Sequence, residues 1–133
     1  MKHTKIESIL KSLELVRDGK ILAHPDFLTT PLDELVKMCN GCGAAGKFDF
    51  VPDTIYGLWI GPNCNPHDHW YAVTASEAEK AQADREMLIN NLRAIEACSL
   101  WILKPLRRMR ALTYYAAVTD FGSKAYWKWK NMP

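Results

Sequence analysis

Apolar residues recur every three or four positions over most of this chain, the repeat that gathers them on one face of a helix. From Thr4 to about Arg17 they are Ile6, Ile9, Leu10, Leu13 and Val16, and Asp18-Gly19 closes the segment. Thr30-Pro31-Leu32-Asp33-Glu34 sets a threonine N-cap, proline at the first helical position and acids in the first turn, which predicts a short helix ending near Met38. Asn63 as N-cap and Pro66 in the first turn predict a central helix through about Val73. Ser76 with Glu79 is a capping box and opens a long helix to about Leu103. Its inner stripe would be Ala81, Asp84, Leu88, Asn91, Leu92, Ile95 and Cys98, with Lys80, Glu86, Arg93 and Glu96 mostly outward. Pro105 breaks or kinks that pattern, and Leu106, Met109, Leu112, Tyr115, Ala116 and Thr119 mark a last helix before Gly122.

Between the helices, Cys39-Asn40-Gly41-Cys42-Gly43-Ala44-Ala45-Gly46 is too rich in glycine for a helix and reads as a loop. Phe48-Asp49-Phe50-Val51 and Ile55-Tyr56-Gly57-Leu58-Trp59-Ile60, split by Pro52-Asp53, cluster aromatic and β-branched residues and predict short extended pieces or a hairpin. The expected architecture is one mainly α domain over 1–133. Two long antiparallel helices carry the site, N- and C-terminal helices flank them, and there is a small irregular β element. Residues 1–38 form the N-terminal helical region, 39–103 the loop and helix pair, and 104–133 the last helix and tail.

Composition narrows this little further. A chain of 133 residues that is 48% hydrophobic can bury a core of its own. A net charge of +2 gives no basis for a nucleic-acid partner, although Lys104, Arg107, Arg108, Arg110, Lys124, Lys128 and Lys130 crowd the last quarter. No apolar run approaches the roughly 18 to 20 residues that span a bilayer. Glu7, Lys11 and Glu14 interrupt any apolar segment after the basic start, so no secretory signal is expected. Four cysteines are too few to fix the redox compartment.

The candidate chemistry sits on the central helix. Cys64, His67, Asp68 and Tyr71 fall at i, i+3, i+4 and i+7 and share one face, where packing alone would place Leu, Ile or Ala. Two readings compete for them. Cys39-x2-Cys42 followed by Cys64-x2-His67 has the spacing of a structural zinc site with three thiolates and one imidazole, in a non-catalytic binding module. In the other, His67 is the general base of a hydrolase, oriented by a carboxylate from another helix, with Asp68 and the glycine loop around a hard cation. The zinc reading leaves Asp68, Tyr71 and Asp84 without a role.

Cys64-x2-His67-Asp68-x2-Tyr71 resembles the active-site helix of the secreted phospholipase A2 superfamily. Asn40-Gly41-Cys42-Gly43 is similar to that family's calcium loop, and Phe48-Asp49-Phe50-x-Pro52 to a segment of its bacterial members. Asp84-Arg85 resembles the family's catalytic aspartate and following arginine, so the likeness runs from Asn40 to Leu92 with its parts in order. The resemblance implies that His67 takes a proton from the attacking water, Asp84 orients the imidazole, and Tyr71 braces Asp84. Asp68 and loop carbonyls around Asn40, Gly41 and Gly43 would bind calcium, Cys42 would pair with Cys64, and the partner would be a phospholipid membrane surface. The activity implied is calcium-dependent hydrolysis of the sn-2 acyl ester.

The chain departs from the family in places. Asn40 stands where bacterial members tend to have an acid, and the longer spacing from Cys42 to His67 moves candidate loop ligands toward Ala44, Ala45 or Asp49. The dense cysteine network of the animal enzymes is lacking, which is the pattern of bacterial or phage members. Cys98 is expected as a buried free thiol or as a partner of Cys39, and His69 and Trp70 as packing or surface residues. The ending Lys124-Ala125-Tyr126-Trp127-Lys128-Trp129-Lys130 either seats at lipid headgroups or folds its tryptophans back onto the body.

Overall fold

A computed structural model describes residues 3–40, 52–128 and 130. The fold is mainly α. In chain order it runs α1 (Lys5–Arg17), α2 (Leu32–Met38), the strand pair β1 (Thr54–Ile55) and β2 (Leu58–Trp59), α3 (Gly61–Val73), α4 (Glu77–Cys98), α5 (Lys104–Phe121) and α6 (Ser123–Trp127). The strands are antiparallel, joined by Tyr56 and Gly57 at φ of 45° and 82°, the left-handed pair that a twist-matched two-residue turn requires. The expected extended segment 48–51 lies outside the described residues.

The central helix begins two residues before the expected cap. Gly61 opens α3, Asn63 lies inside it, and Pro66 falls in its interior rather than its first turn. A proline there has no N–H for the carbonyl four residues back. That carbonyl, on Pro62, accepts instead from Ser12 Oγ of α1 at 2.6 Å. Asn65 donates to Ser8 Oγ and Ser12 Oγ at 2.9 and 2.8 Å, so the defect in α3 is where α1 is fastened.

Contacts between α3 and α4 run in opposite directions along the two helices: Asn63 near the start of α3 meets Asn91 in the second half of α4, and His67 and Tyr71 further along α3 meet Asp84 in its first half. The two helices are therefore antiparallel, and α5 returns antiparallel to α4. Ile55, Ile60, Cys64, Ile95, Ala111 and Tyr114 form the core that joins hairpin, α3, α4 and α5. A second cluster of Ile9, Phe27, Leu35 and Cys39 holds α1, α2 and their connection.

Several faces differ from the sequence expectation. Thr30 does not cap α2; Pro31 holds that position, and the Thr30 hydroxyl bonds Asp26 O at 2.7 Å. Helix α4 stops at Cys98 rather than Leu103, and Pro105 lies in the first turn of α5. Lys80 and Glu86 point inward while Ala81 and Cys98 are exposed. Glu86 turns in because its carboxylate accepts from Trp70 Nε1 at 3.0 Å and Gln82 Nε2 at 2.7 Å.

The largest difference is in α5. Its buried residues are Arg107, Ala111 and Tyr114, and the expected apolar stripe of Leu106, Met109 and Leu112 faces out. Polar tips decide this. Arg107 donates to Ser99 Oγ at 2.8 Å and Tyr56 O at 2.7 Å, and Tyr114 donates to Thr54 O at 2.9 Å, so the helix turns these residues toward the hairpin carbonyls.

Candidate catalytic site

Helix α3 presents His67, Asp68 and Tyr71, and α4 presents Asp84 opposite them. His67 Nε2 lies 2.8 Å from Asp84 Oδ1, and both side chains are buried. Tyr71 donates its hydroxyl to the same oxygen at 2.7 Å. The three residues assigned to catalysis thus come together across the helix pair. Lys80, one turn before Asp84, donates to Oδ2 at 2.8 Å and to Val118 O at 3.2 Å. With Lys80 at 4% and Asp84 at 2% exposure, this is a buried ion pair, and it fills the other half of the carboxylate.

These partners set the electrostatics. Burial pushes the Asp84 carboxyl upward, but hydrogen bonds from His67, Lys80 and Tyr71 outweigh it and hold Asp84 below its usual range. An ionised Asp84 accepts only, so Nε2 carries the proton and Nδ1 is the imidazole nitrogen left for acid–base work. The Tyr71 phenol is pushed up, first by burial and then by Asp84, and so stays a donor.

The cation ligands are placed only in part. Asp68 is partly buried, and its Oδ2 accepts the backbone N–H of Asn40, the last described residue before the glycine-rich sequence, at 2.7 Å. Gly41, Gly43, Ala44, Ala45 and Asp49 lie outside the described residues. A cleft of about 300 Å³ opens beside Asn40, lined among others by Lys5, Asp53, Trp59 and Asn65.

Cys64 is disulfide-bonded, which leaves it no thiolate to offer a metal; Cys42, its expected partner, lies outside the described residues. Cys39 and Cys98 are both free, so they do not pair, and Cys98 is exposed rather than buried. The Cys39 thiol is pushed up to about 12, first by burial and then by Asp68. It is a packed thiol whose Sγ lies 3.7 Å from Asn65 O.

Lys80 is the site residue the sequence pattern misplaced, although its i, i+4 spacing to Asp84 is a recognisable ion-pair signal. The C-terminal segment is a second missed contributor. Tyr126 packs edge-on against Tyr71 with ring centres 4.9 Å apart, and a Cβ on Gly122 would come within 2.8 Å of the Tyr71 hydroxyl. Tyr126 Oη also accepts from Ser76 N at 2.9 Å, at the start of α4. Trp127 folds back and donates to Glu77 Oε1 at 2.7 Å, while Trp129 lies outside the described residues.

His69 points away from this chemistry and is fully buried. The Thr30 hydroxyl gives its proton to Asp26 O, so His69 Nε2 donates to Thr30 Oγ1 at 3.0 Å, and Nδ1 has no hydrogen-bond partner among the described residues. Burial, and then His24, push this imidazole down to about 4.

Compared with protein-family models, with curated proteins and with solved structures, the chain gives no match.

Proposed function

We propose that this chain is a calcium-dependent hydrolase of phospholipid acyl esters. The observation that carries the reading is the buried His67 Nε2 to Asp84 Oδ1 contact of 2.8 Å between two antiparallel helices. Asp84 fixes the tautomer and steadies the imidazolium that forms, and His67 Nδ1 takes the proton of the attacking water. The water oxygen bonds to the acyl carbon, and the protonated imidazole then returns its proton to the departing alcohol. Tyr71 and Lys80 keep Asp84 from turning away from the imidazole, a positioning role.

The donor set suits a hard cation. Asp68 supplies carboxylate oxygen next to Asn40, where the glycine-rich sequence begins, and calcium takes about 6 to 8 oxygen ligands. Asp68, with carbonyls around Asn40, Gly41 and Gly43, would hold calcium, which would supply positive charge for the developing oxyanion and the lipid phosphate. The sn-2 position rests on the family resemblance alone. The test is release of a labelled sn-2 fatty acid from phosphatidylglycerol dispersions with calcium and with chelator. Release that needs calcium supports the reading, and no release under either condition contradicts it.

A further inference from the structure

The last turn of a helix leaves carbonyls without an intrahelical partner, and the helix dipole favours a cation beside them. Helix α3, which carries His67 and Tyr71, has no basic residue in its own last turn. Two groups complete it. Thr74 donates its hydroxyl to Trp70 O at 2.6 Å, and Lys130 Nζ, fifty-nine residues further along the chain, donates to Tyr71 O. Lys130 also donates to Tyr126 O at 2.6 Å, and its ammonium lies 3.7 Å from the centre of the Tyr126 ring. Tyr126 fastens the same place from another side. It is buried, its ring packs edge-on against Tyr71, and its Oη accepts from Ser76 N at 2.9 Å, donates to Ser76 O at 3.0 Å and lies 2.9 Å from Thr74 Oγ1. One tyrosine thus closes the turn between α3 and α4, and α6 with Lys130 forms a strap across its end.

We infer that Lys130 and Tyr126 are positioning residues, which set the place of the Asp84 carboxylate by holding Tyr71. Among the described residues the hydrogen-bond partners of Asp84 are His67, Tyr71 and Lys80, so the strap acts on the carboxylate only through Tyr71. Helix ends fray first, and Tyr71 lies in the last turn of α3, two residues before its end at Val73. Its hydroxyl stays 2.7 Å from Asp84 Oδ1 only while that turn is wound. Lys130 keeps the turn wound by covering the Tyr71 carbonyl, and Tyr126 blocks the Tyr71 ring from swinging aside. With both removed, Asp84 Oδ1 would keep His67 as its one steady partner, and the carboxylate would be freer to turn. The effect of the strap on rate rests on the hydrolase reading, whereas its hold on Tyr71 does not.

Two double-variant cycles on the full chain test this, Lys130→Met and Tyr126→Phe each combined with Tyr71→Phe. Each variant is read twice, as kcat and KM on a short-chain ester with calcium and as the urea midpoint of unfolding. Lys130→Met and Tyr126→Phe should each lower kcat by about five-fold, with KM changed by less than about two-fold. Neither should add to the kcat loss of Tyr71→Phe alone, because both act through the same hydroxyl. A residue that only stabilised the fold would lower the urea midpoint and leave kcat of the folded chain unchanged, and that result would overturn the inference. So would kcat losses that multiply with that of Tyr71→Phe. If the unaltered chain hydrolyses no ester, the midpoints decide alone. Midpoint shifts that fall short of additive would support the hold on Tyr71 and count only against the hydrolase reading, and additive shifts would overturn the inference as well.

Discussion

Lys80 Nζ lies 2.8 Å from Asp84 Oδ2, one turn apart on α4 with both side chains buried. A buried ion pair adds little net stability against a well-packed apolar pair, but removing one partner strands the other charge. Lys80→Met should therefore lower the unfolding free energy by about 3–5 kcal/mol, read by urea denaturation. Lys80→Met combined with Asp84→Asn should recover part of that loss. A cost below about 1 kcal/mol, the range of an exposed pair, would show that Lys80 does not hold Asp84.

Tyr71 and His67 share Asp84 Oδ1, so they should fail differently. Asp84→Asn leaves the shape but offers His67 the wrong partner, and should lower kcat about a thousand-fold or more. Tyr71→Phe removes only a brace, and should cost about ten-fold in kcat with roughly 1.5–3 kcal/mol of stability. Steady-state kinetics on a short-chain ester checks both, and equal losses would contradict the division of roles.

His69 should make the fold sensitive to mild acid. Its imidazole is held near 4 in the folded chain, mainly by burial, against 6.5 for the free group. Between these values the unfolded chain binds the extra proton, so stability is complete above about pH 6.5 and falls as pH drops toward about 4. His24 and Asp26, the neighbours that act on it, remain in His69→Gln, which should flatten this limb of the stability profile. An unchanged profile in that variant would place the sensitivity elsewhere.

The two free thiols should separate cleanly by reactivity. Cys98 is exposed, whereas Cys39 is buried with its thiol pushed up to about 12. A disulfide-exchange reagent at pH 8 should label Cys98 quickly and Cys39 only on unfolding. Peptide mapping of the labelled chain checks this, and early label on Cys39 would contradict its placement.

Much of the frame was legible in the sequence because helices announce themselves by period and caps. Ser76 caps α4 as its spacing to Glu79 predicts, the period from Thr4 to Arg17 is α1, and His67 and Tyr71 of the i, i+3, i+4, i+7 set on α3 both meet Asp84. Apolar residues do not mark the inner face everywhere in this chain. Arg107 and Tyr114 turn inward because hairpin carbonyls some fifty to sixty residues earlier accept from them, and no local pattern contains that partner. Lys80 turns inward for a carboxylate one turn away, a signal that was present but outweighed by the rule that lysines face water. Pro66 is expected in a first turn from the Asn63 cap, yet it sits mid-helix, where a proline leaves a carbonyl unbonded. Ser12 Oγ, fifty residues before Pro62, takes up the freed carbonyl.

The central claim is that His67, held by Asp84, acts as the base of a calcium-dependent ester hydrolysis. The most direct measurement is fatty-acid release from one phospholipid dispersion at saturating calcium, comparing the unaltered chain with His67→Gln and with the unaltered chain in chelator. The expected result is steady release by the unaltered chain, with a loss of about a thousand-fold or more in the variant and near-complete loss in chelator. Release by His67→Gln at the rate of the unaltered chain, or release indifferent to chelator, would contradict the claim.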